Sequence, residues 1–348
     1  MQNDNLPNEF ASWLTINRAC NLNCEWCYAN PERFKGEANM SLETVQKSIN
    51  LFKGLPLKRV ILIGGEPTIH QEFLTIVKII KTAGLVPVVI TNGVKFRDKF
   101  FLSESLRAGI SGITVSLKGS SDEQYAKLTG RAAFSDVIVA MKNIVESGVD
   151  HNLSITIGDE LGENFDDMIA AILKSGTKWF SIDMERPLII CNKAVPSKLS
   201  PKQMADFFVK IYPSLERCGI DFVLKISIPF CLFPEGFIEK ANKQKRIVSG
   251  CHIYVGRGII IDPKGKLLPC NHFCDNPLGE LGVDFSDEDG YIRFRNRPDI
   301  KEFYETLASY PHKNCQFCHD WQQCGAGCRV SWLCREASEL ISIQEERR

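Results

Sequence analysis

The sequence predicts an α/β protein: a partial barrel of six strand–helix units within residues 10–235, then a small loop-rich domain over 236–340. Three observations predict it. Between about residues 12 and 190, short β-branched runs alternate with helical segments, as in a parallel sheet with crossover helices. Several of those runs alternate polar with apolar residues, so each has one face for helices and one for the inside of a curved sheet. From Cys251 onward the texture turns to cysteines and loops, which places a boundary near 235–250.

The expected strands are 13–17, 59–63, 86–91, 112–117, 153–157 and 178–184, with helices at 42–52, 72–83, 100–108, 134–147 and 165–174. Ser41 reads as an N-cap, with Thr44 instead of Glu at the box position, and Gly84, Gly109 and Gly148 sit just past helix ends. Six units over roughly 200 residues imply a barrel smaller than the eight-fold form. Ile113, Val115 and Leu117 alternate with Thr114, Ser116 and Lys118. Phe180, Ile182 and Met184 alternate with Ser181, Asp183 and Glu185, and Asn152, Ser154 and Thr156 oppose Leu153, Ile155 and Ile157. A polar interior implies an open lumen that receives a ligand, whereas a two-faced antiparallel sheet with a solvated side is the alternative. Residues 191–250 read as a connector with a helix at 201–217, an apolar run at 222–233 and a basic stretch at 240–246, taken as a solvated linker.

Lys+Arg and Asp+Glu both number 42 in 348 residues, so no charge footprint calls for nucleic acid or an anionic membrane. No apolar stretch is long enough to span a bilayer, and the N-terminus lacks a signal segment, so a cytoplasmic location is expected. Fourteen cysteines in a reducing compartment read as metal ligands more than disulfides.

Cys20, Cys24 and Cys27 lie at x3 and x2 spacing, which can hold three corners of a four-iron cluster and leave one iron open for chemistry. A zinc site completed from afar, a disulfide pair or three buried thiols fit the triplet alone. After strand two, Gly64-Gly65-Glu66-Pro67 would let a ligand approach the backbone and offer Glu66 to a cationic group; a plain strand-to-helix turn is the alternative. Asn92-Gly93 and Ser116 share that carboxyl-end rim, where barrel enzymes keep their active sites. A second set comprises Cys251, Gly265, Cys270, Cys315, Cys318, Cys324, Cys328 and Cys334. It reads as two tetrathiolate sites in a domain too small to build its own core, with zinc and iron–sulfur equally served by the spacing. Cys191, Cys218 and Cys231 are left over and read as small core residues.

The ordered set Cys20-x3-Cys24-x-Trp26-Cys27, Gly-Gly-Glu-Pro, Thr-Asn-Gly and the strand-four serine resembles the radical S-adenosylmethionine (SAM) superfamily. The resemblance implies a partial (β/α)6 TIM-like barrel with a [4Fe–4S] cluster after strand one. SAM chelates the open iron and is cleaved reductively to methionine and a 5′-deoxyadenosyl radical, which takes a hydrogen atom from the substrate. Carried over by position, Trp26 contacts the adenine, Gly64, Gly65 and Glu66 the methionine amine, Ser116 the ribose or carboxylate, and Arg131 the carboxylate. Asn92 belongs to the same pocket. Many relatives carry an acidic residue where Lys118 stands, which makes Lys118 a SAM or substrate ligand or a cation at the lumen mouth.

The later cysteines resemble the SPASM domain of the same superfamily, which binds two auxiliary [4Fe–4S] clusters. By that resemblance Cys251, Cys270 and Cys328 hold the first cluster, and Cys315, Cys318, Cys324 and Cys334 the second. Position 257, cysteine in some relatives, is arginine, so Cys274 completes the first or its site stays open.

Relatives with this domain mostly modify peptides and proteins, and auxiliary clusters favour net oxidation. The expected function is therefore maturation of a ribosomally made peptide by crosslinking, oxidation or backbone excision. Anaerobic sulfatase maturases place an aspartate base after the second SPASM cysteine, whereas this chain has Asn271 and then His272. His272 is either a base or a hydrogen-bond donor beside the cluster loop; Asp183 and Glu185 are the other base candidates, unless they form a lumen ion pair with Lys118. Strand one begins near residue 12, leaving no room for a leader-binding module, so a separate protein delivers the peptide or the substrate has no leader. A donor such as flavodoxin or ferredoxin is the expected electron source. The alternatives are a sulfatase-maturase-like enzyme, a small-molecule dehydrogenase or cofactor-biosynthesis enzyme, and a non-catalytic electron-transfer scaffold.

Overall fold

A computed structural model describes residues 10–29, 39–158, 165–190, 193–252, 258–273 and 276–341. Six parallel strands, β1 (Phe10–Asn17), β2 (Leu57–Gly64), β3 (Val86–Thr91), β4 (Gly112–Leu117), β5 (Asp150–Ile157) and β6 (Trp179–Met184), pair in sequence order. Helices α1 (Leu42–Gly54), α2 (Phe73–Thr82), α3 (Lys99–Ala108), α4 (Asp122–Thr129), α5 (Phe134–Ser147) and α6 (Phe165–Ser175) alternate with them. Each expected strand and helix in this stretch is present. Ser41 caps α1 as its periodicity requires, its side chain accepting from Thr44 N–H. Helix α4 is an addition to the expected set. It buries only Tyr125, Leu128 and Thr129, too thin a stripe for a periodicity signal, although Ser121 and Gly130 cap it.

The strands put one face under the helices. Leu14, Leu62, Val89, Val115, Leu153, Ile155, Phe180 and Ile182 are fully buried there. The opposite face carries the polar residues in register: Thr114 beside Asn152, Ser116 beside Ser154 and then Ser181, and Thr156 beside Asp183. Asn152 donates to Ser181 Oγ at 3.0 Å. The polar lining covers β4–β6 only. Across β1–β3 the same face carries Trp13, Ile61 and Val88 side by side, so the lumen has a polar half and an apolar half.

The sheet runs on beyond six strands. A hairpin, β7 (Leu188–Ile190) and β8 (Lys193–Val195), precedes helix α7 (Pro201–Arg217). The apolar run at 222–233 supplies β9 (Asp221–Ile226), which pairs with β6. The basic stretch at 240–246 is not a plain linker. It closes helix α8 (Phe237–Lys243) and leads into β10 (Ile247–Ser249), which pairs with β9, while the Arg246 guanidinium lies over the Phe222 ring. At the other edge β11 (Gly258–Ile261) lies parallel to β1, with β12 (Lys266–Leu268) and β13 (Gly279–Glu280) antiparallel beyond it. One hydrogen-bonded sheet therefore crosses the segment 235–250 expected to separate two domains. No helix among the described residues is long and apolar enough to cross a membrane.

Candidate active site and cysteine clusters

The cysteine loop leaves β1 at Asn17 and is zipped to the Gly-Gly-Glu run after β2. Gly65 N–H donates to Asn17 O at 3.0 Å, Glu66 N–H to Ala19 O at 2.8 Å, and Asn17 Nδ2 to Glu66 O at 2.9 Å. The two chains lie so close that a Cβ on Gly64 would stand 2.2 Å from Asn17 Oδ1, and one on Gly65 2.3 Å from Ala19 O. Both glycines are thus needed for backbone approach whatever else they bind. Further along, Asn23 N–H donates to Thr129 O at 2.8 Å, tying the loop to α4. Cys24 is buried, while Cys20 and Cys27 are half-buried. Burial pushes the Cys20 thiol up to about 12; the Leu22 N–H on its sulfur opposes this, and Glu66, Cys27 and Cys24 add to it. A thiol so buried is held as an anion only beside positive charge, which a bound metal supplies.

Glu66 is 1% exposed and its carboxylate is fully engaged. Oε1 accepts from Thr68 N at 3.0 Å, Thr68 Oγ1 at 2.6 Å and Thr91 Oγ1 at 2.7 Å, while Oε2 accepts from Asn92 N at 2.7 Å. Burial raises its pKa against these donors. The residue expected to meet a ligand's amine therefore also locks the turn after β2 to the end of β3. Asn92, so placed, donates through Nδ2 to Asn21 Oδ1 at 2.7 Å and stands 3.9 Å from Cys20 Sγ.

Lys118, at the end of β4, turns toward the cluster loop. Its Nζ lies over the Trp26 ring, 5.7 Å from the centroid. Burial works to lower its pKa, but Cys24, Cys27, Cys20 and Glu66 together outweigh that and raise it. The alternative ion pair with Asp183 is not formed. Asp183 accepts instead from Arg186 NH2 at 2.6 Å. Glu185 is half-buried beside Gly158, and Ser116 is half-buried on the lumen face. Arg131 is exposed on the turn after α4, with its guanidinium 3.6 Å from Asp136.

In the C-terminal segment, Cys251, Cys270 and Cys328 pack together around Ile189, Phe273 and Val330. Gly265 (φ +80°) forms the tight turn between β11 and β12 that carries the chain back to Cys270. Arg186 stands against this trio: burial disfavours its charge, and Asp183, Cys328 and Cys270 outweigh it and hold its pKa above the ordinary value. It thus links the lumen carboxylate to the trio. His272 places Nδ1 3.6 Å from Cys270 Sγ, and its ring lies 5.7 Å from that of Tyr28 on the first cysteine loop. Cys191, Arg257 and Cys274 lie outside the described residues. Cys218 is half-buried with its Sγ 3.1 Å from Leu215 O, away from either cysteine group. Cys315, Cys318 and Cys324 line one cavity of about 1130 Å³. Cys334 lies apart from it, its Sγ 3.4 Å from Val330 O beside Arg335 and Glu339. Sequence reasoning missed Arg186 and Lys225. Lys225, on β9, is half-buried; burial lowers its pKa, and Asp183 opposes that. Arg186 lies two residues past the end of β6, and Lys225 sits on β9, whose place beside β6 only the strand pairing reveals.

Fold and site together define a barrel built around a three-cysteine loop at its carboxyl rim. Residues 14–185 match the model of the Radical SAM superfamily, and the chain belongs to that superfamily of enzymes. It is 29% identical over 177 residues to a probable GTP 3′,8-cyclase of Thermococcus kodakarensis, covering 50% of this chain and 56% of that protein. It is 23% identical over 275 residues to a 7,8-dihydro-6-hydroxymethylpterin dimethyltransferase of Methanocaldococcus jannaschii, covering 75% and 53%. The chain thus spans little more than half the length of these curated relatives. Among solved structures, native anSMEcpe with bound AdoMet superposes with a TM-score of 0.67 at 17% identity, over 97% of this chain and 95% of that one. Streptococcus suis SuiB bound to precursor peptide SuiA gives 0.69 at 16% identity, over 95% and 74%. At such identity these likenesses speak for the fold, and they extend it across the C-terminal segment. The donor set at Cys20, Cys24 and Cys27 fits a [4Fe–4S] cluster with one iron left for SAM.

Proposed function

We propose that this protein modifies a peptide or protein substrate by radical SAM chemistry, with auxiliary clusters in a SPASM-type C-terminal segment that make the reaction a net oxidation. The observation that carries the reading is Arg186, which pairs with Asp183 on the lumen face and stands against Cys270 and Cys328 of the cysteine trio. Arg186 thus adjoins both a carboxylate that can take a proton and the cysteine trio that would hold an electron-accepting cluster.

When bound, the cluster at Cys20, Cys24 and Cys27 supplies the electron that cleaves SAM to methionine and a 5′-deoxyadenosyl radical. The chain's own residues do the rest. Trp26, Ser116 and Asn92 form the SAM-facing rim, the Gly64–Gly65–Glu66 turn fixes its geometry, and Lys118 balances the thiolates. Asp183 or Glu185 takes the proton that leaves the substrate, and the barrel walls keep water from the reacting centre. His272, beside Cys270, orients that cysteine. The SuiB and anSMEcpe structures, the former bound to a precursor peptide, support a peptide substrate. A flavodoxin- or ferredoxin-type donor completes the system. A small-molecule substrate is the second reading, favoured by the cyclase and dimethyltransferase relatives.

The test is anaerobic reconstitution with SAM and reductant, followed by product mass spectrometry on peptides encoded beside the gene. Methionine and 5′-deoxyadenosine together with a peptide lighter by two hydrogens are expected. SAM cleavage that is stimulated only by a nucleotide or pterin, with every peptide unchanged, would favour the second reading.

A further inference from the structure

We propose that Cys231, and not Cys334, is the fourth thiolate of the second auxiliary [4Fe–4S] site, alongside Cys315, Cys318 and Cys324. The inference rests on reading the C-terminal segment as a cluster carrier.

Cys231 comes from the connector, on the 3₁₀ turn Phe230–Leu232 that follows β9, far from the cysteine-rich stretch in sequence. In space it joins that stretch. Cys231, Cys315, Cys318 and Cys324 line the same cavity of about 1130 Å³. The backbone fixes the approach: Phe230 N–H donates to Cys324 Sγ at 3.3 Å, so the neighbouring residue is delivered to the cysteine group. Cys334 is not among the residues lining that cavity; its Sγ lies against the carbonyls of Val330 and Ser331, 3.4 and 3.6 Å away, while Cys231 Sγ lies 3.8 Å from Leu340 O. It occupies the short helix Ser331–Cys334, which follows directly on Cys328. A cubane cluster takes four thiolates in a closed site, and the cavity offers four. The group accordingly spans two parts of the chain, and loading it would staple the connector to the C-terminal segment.

Iron, sulfide and zinc per chain would be counted in the anaerobically reconstituted full-length protein and in Cys231→Ala and Cys334→Ala variants, with circular dichroism to compare their folds. About twelve irons in the wild type and in Cys334→Ala, falling to about eight in Cys231→Ala, is the expected result. The reverse pattern, with Cys334→Ala losing about four irons, overturns the assignment and leaves the auxiliary clusters standing. About four irons in the wild type, with or without zinc, overturns the assignment together with the cluster-carrier reading. A second measurement needs no variant: differential alkylation of the wild type before and after iron chelation. Cys231 labelled only after chelation, with Cys334 labelled in both states, supports ligation. Cys231 labelled while iron is full, or shielded in both states as a core thiol, overturns it.

Discussion

Lys118 is a cation among anions. Its ammonium lies over Trp26 and is held charged by Cys24, Cys27, Cys20 and Glu66, although burial opposes the charge. Replacing it with Met removes that balance, and SAM cleavage is expected to slow roughly 10–100-fold, the usual cost of losing a partner beside a metal ligand set. Arg at this position should restore most of the rate; an unchanged 5′-deoxyadenosine yield in Lys118→Met would refute the role. His70 makes a different case. Its Nε2 lies 3.1 Å from Met40 O and its Nδ1 accepts from Glu72 N at 3.0 Å, so the ring is neutral with both nitrogens used. Burial lowers its pKa below the ordinary 6.5, with Met40 and Glu72 opposing. Between that lowered value and about 6.5 the unfolded chain binds the proton and the folded one does not, so stability is full above pH 6.5 and falls as pH drops below it. Chemical denaturation across pH 5–7 should show this slope in the wild type and a flatter one in His70→Gln; equal slopes would refute the assignment. Both residues illustrate a limit of sequence reading. Lys118 is visible in the sequence as a charge on a strand face, but its partner is not, because Asp183 is claimed by Arg186.

At the scale of elements, the turn after β2 and the loop after β1 behave as one unit. Gly65→Ala puts a methyl group 2.3 Å from the Ala19 carbonyl, where only backbone movement can relieve it. A loss of about 1–3 kcal/mol is expected, with about four fewer irons after reconstitution. Retained iron and an unchanged melting temperature would show that the two loops yield freely. Much of this level is legible in the sequence. Periodicity marks the strands β1–β6 and all their helices except α4, whose burial stripe is too thin to register although Ser121 and Gly130 cap it. The resemblance to the SPASM pattern groups Cys251, Cys270 and Cys328, which the structure packs together. It cannot mark Cys231, since a lone cysteine in the apolar run 222–233 looks like core, and only the chain's path brings it to Cys324. The polar lumen is legible for β4–β6, where alternation is regular.

For the molecule as a whole, the junction between the barrel and the C-terminal segment is covalent in sequence and continuous in hydrogen bonding. Arg18, 2% exposed just before the cysteine loop, lies 3.7 Å from Asp262, which also accepts from Lys264 N and Lys266 N to shape the β11–β12 turn. Removing one partner of a buried pair typically costs about 3–5 kcal/mol. Arg18→Met is therefore expected to lower unfolding stability by that order and to loosen both the loop carrying Cys20 and the β11–β12 turn; a change under about 1 kcal/mol in denaturant titration would contradict it.

The pairing of β1 with β11 also sets a timetable. Ala11 leaves the ribosome long before its register partner, Gly258. Until that partner is made, the strand that presents Cys20, Cys24 and Cys27 keeps a bare edge, an invitation to mispairing. Iron delivery to that loop belongs after synthesis ends. Chains stopped before Gly258 are expected to sediment without iron, and a soluble, iron-bearing fragment of that length would reverse the order.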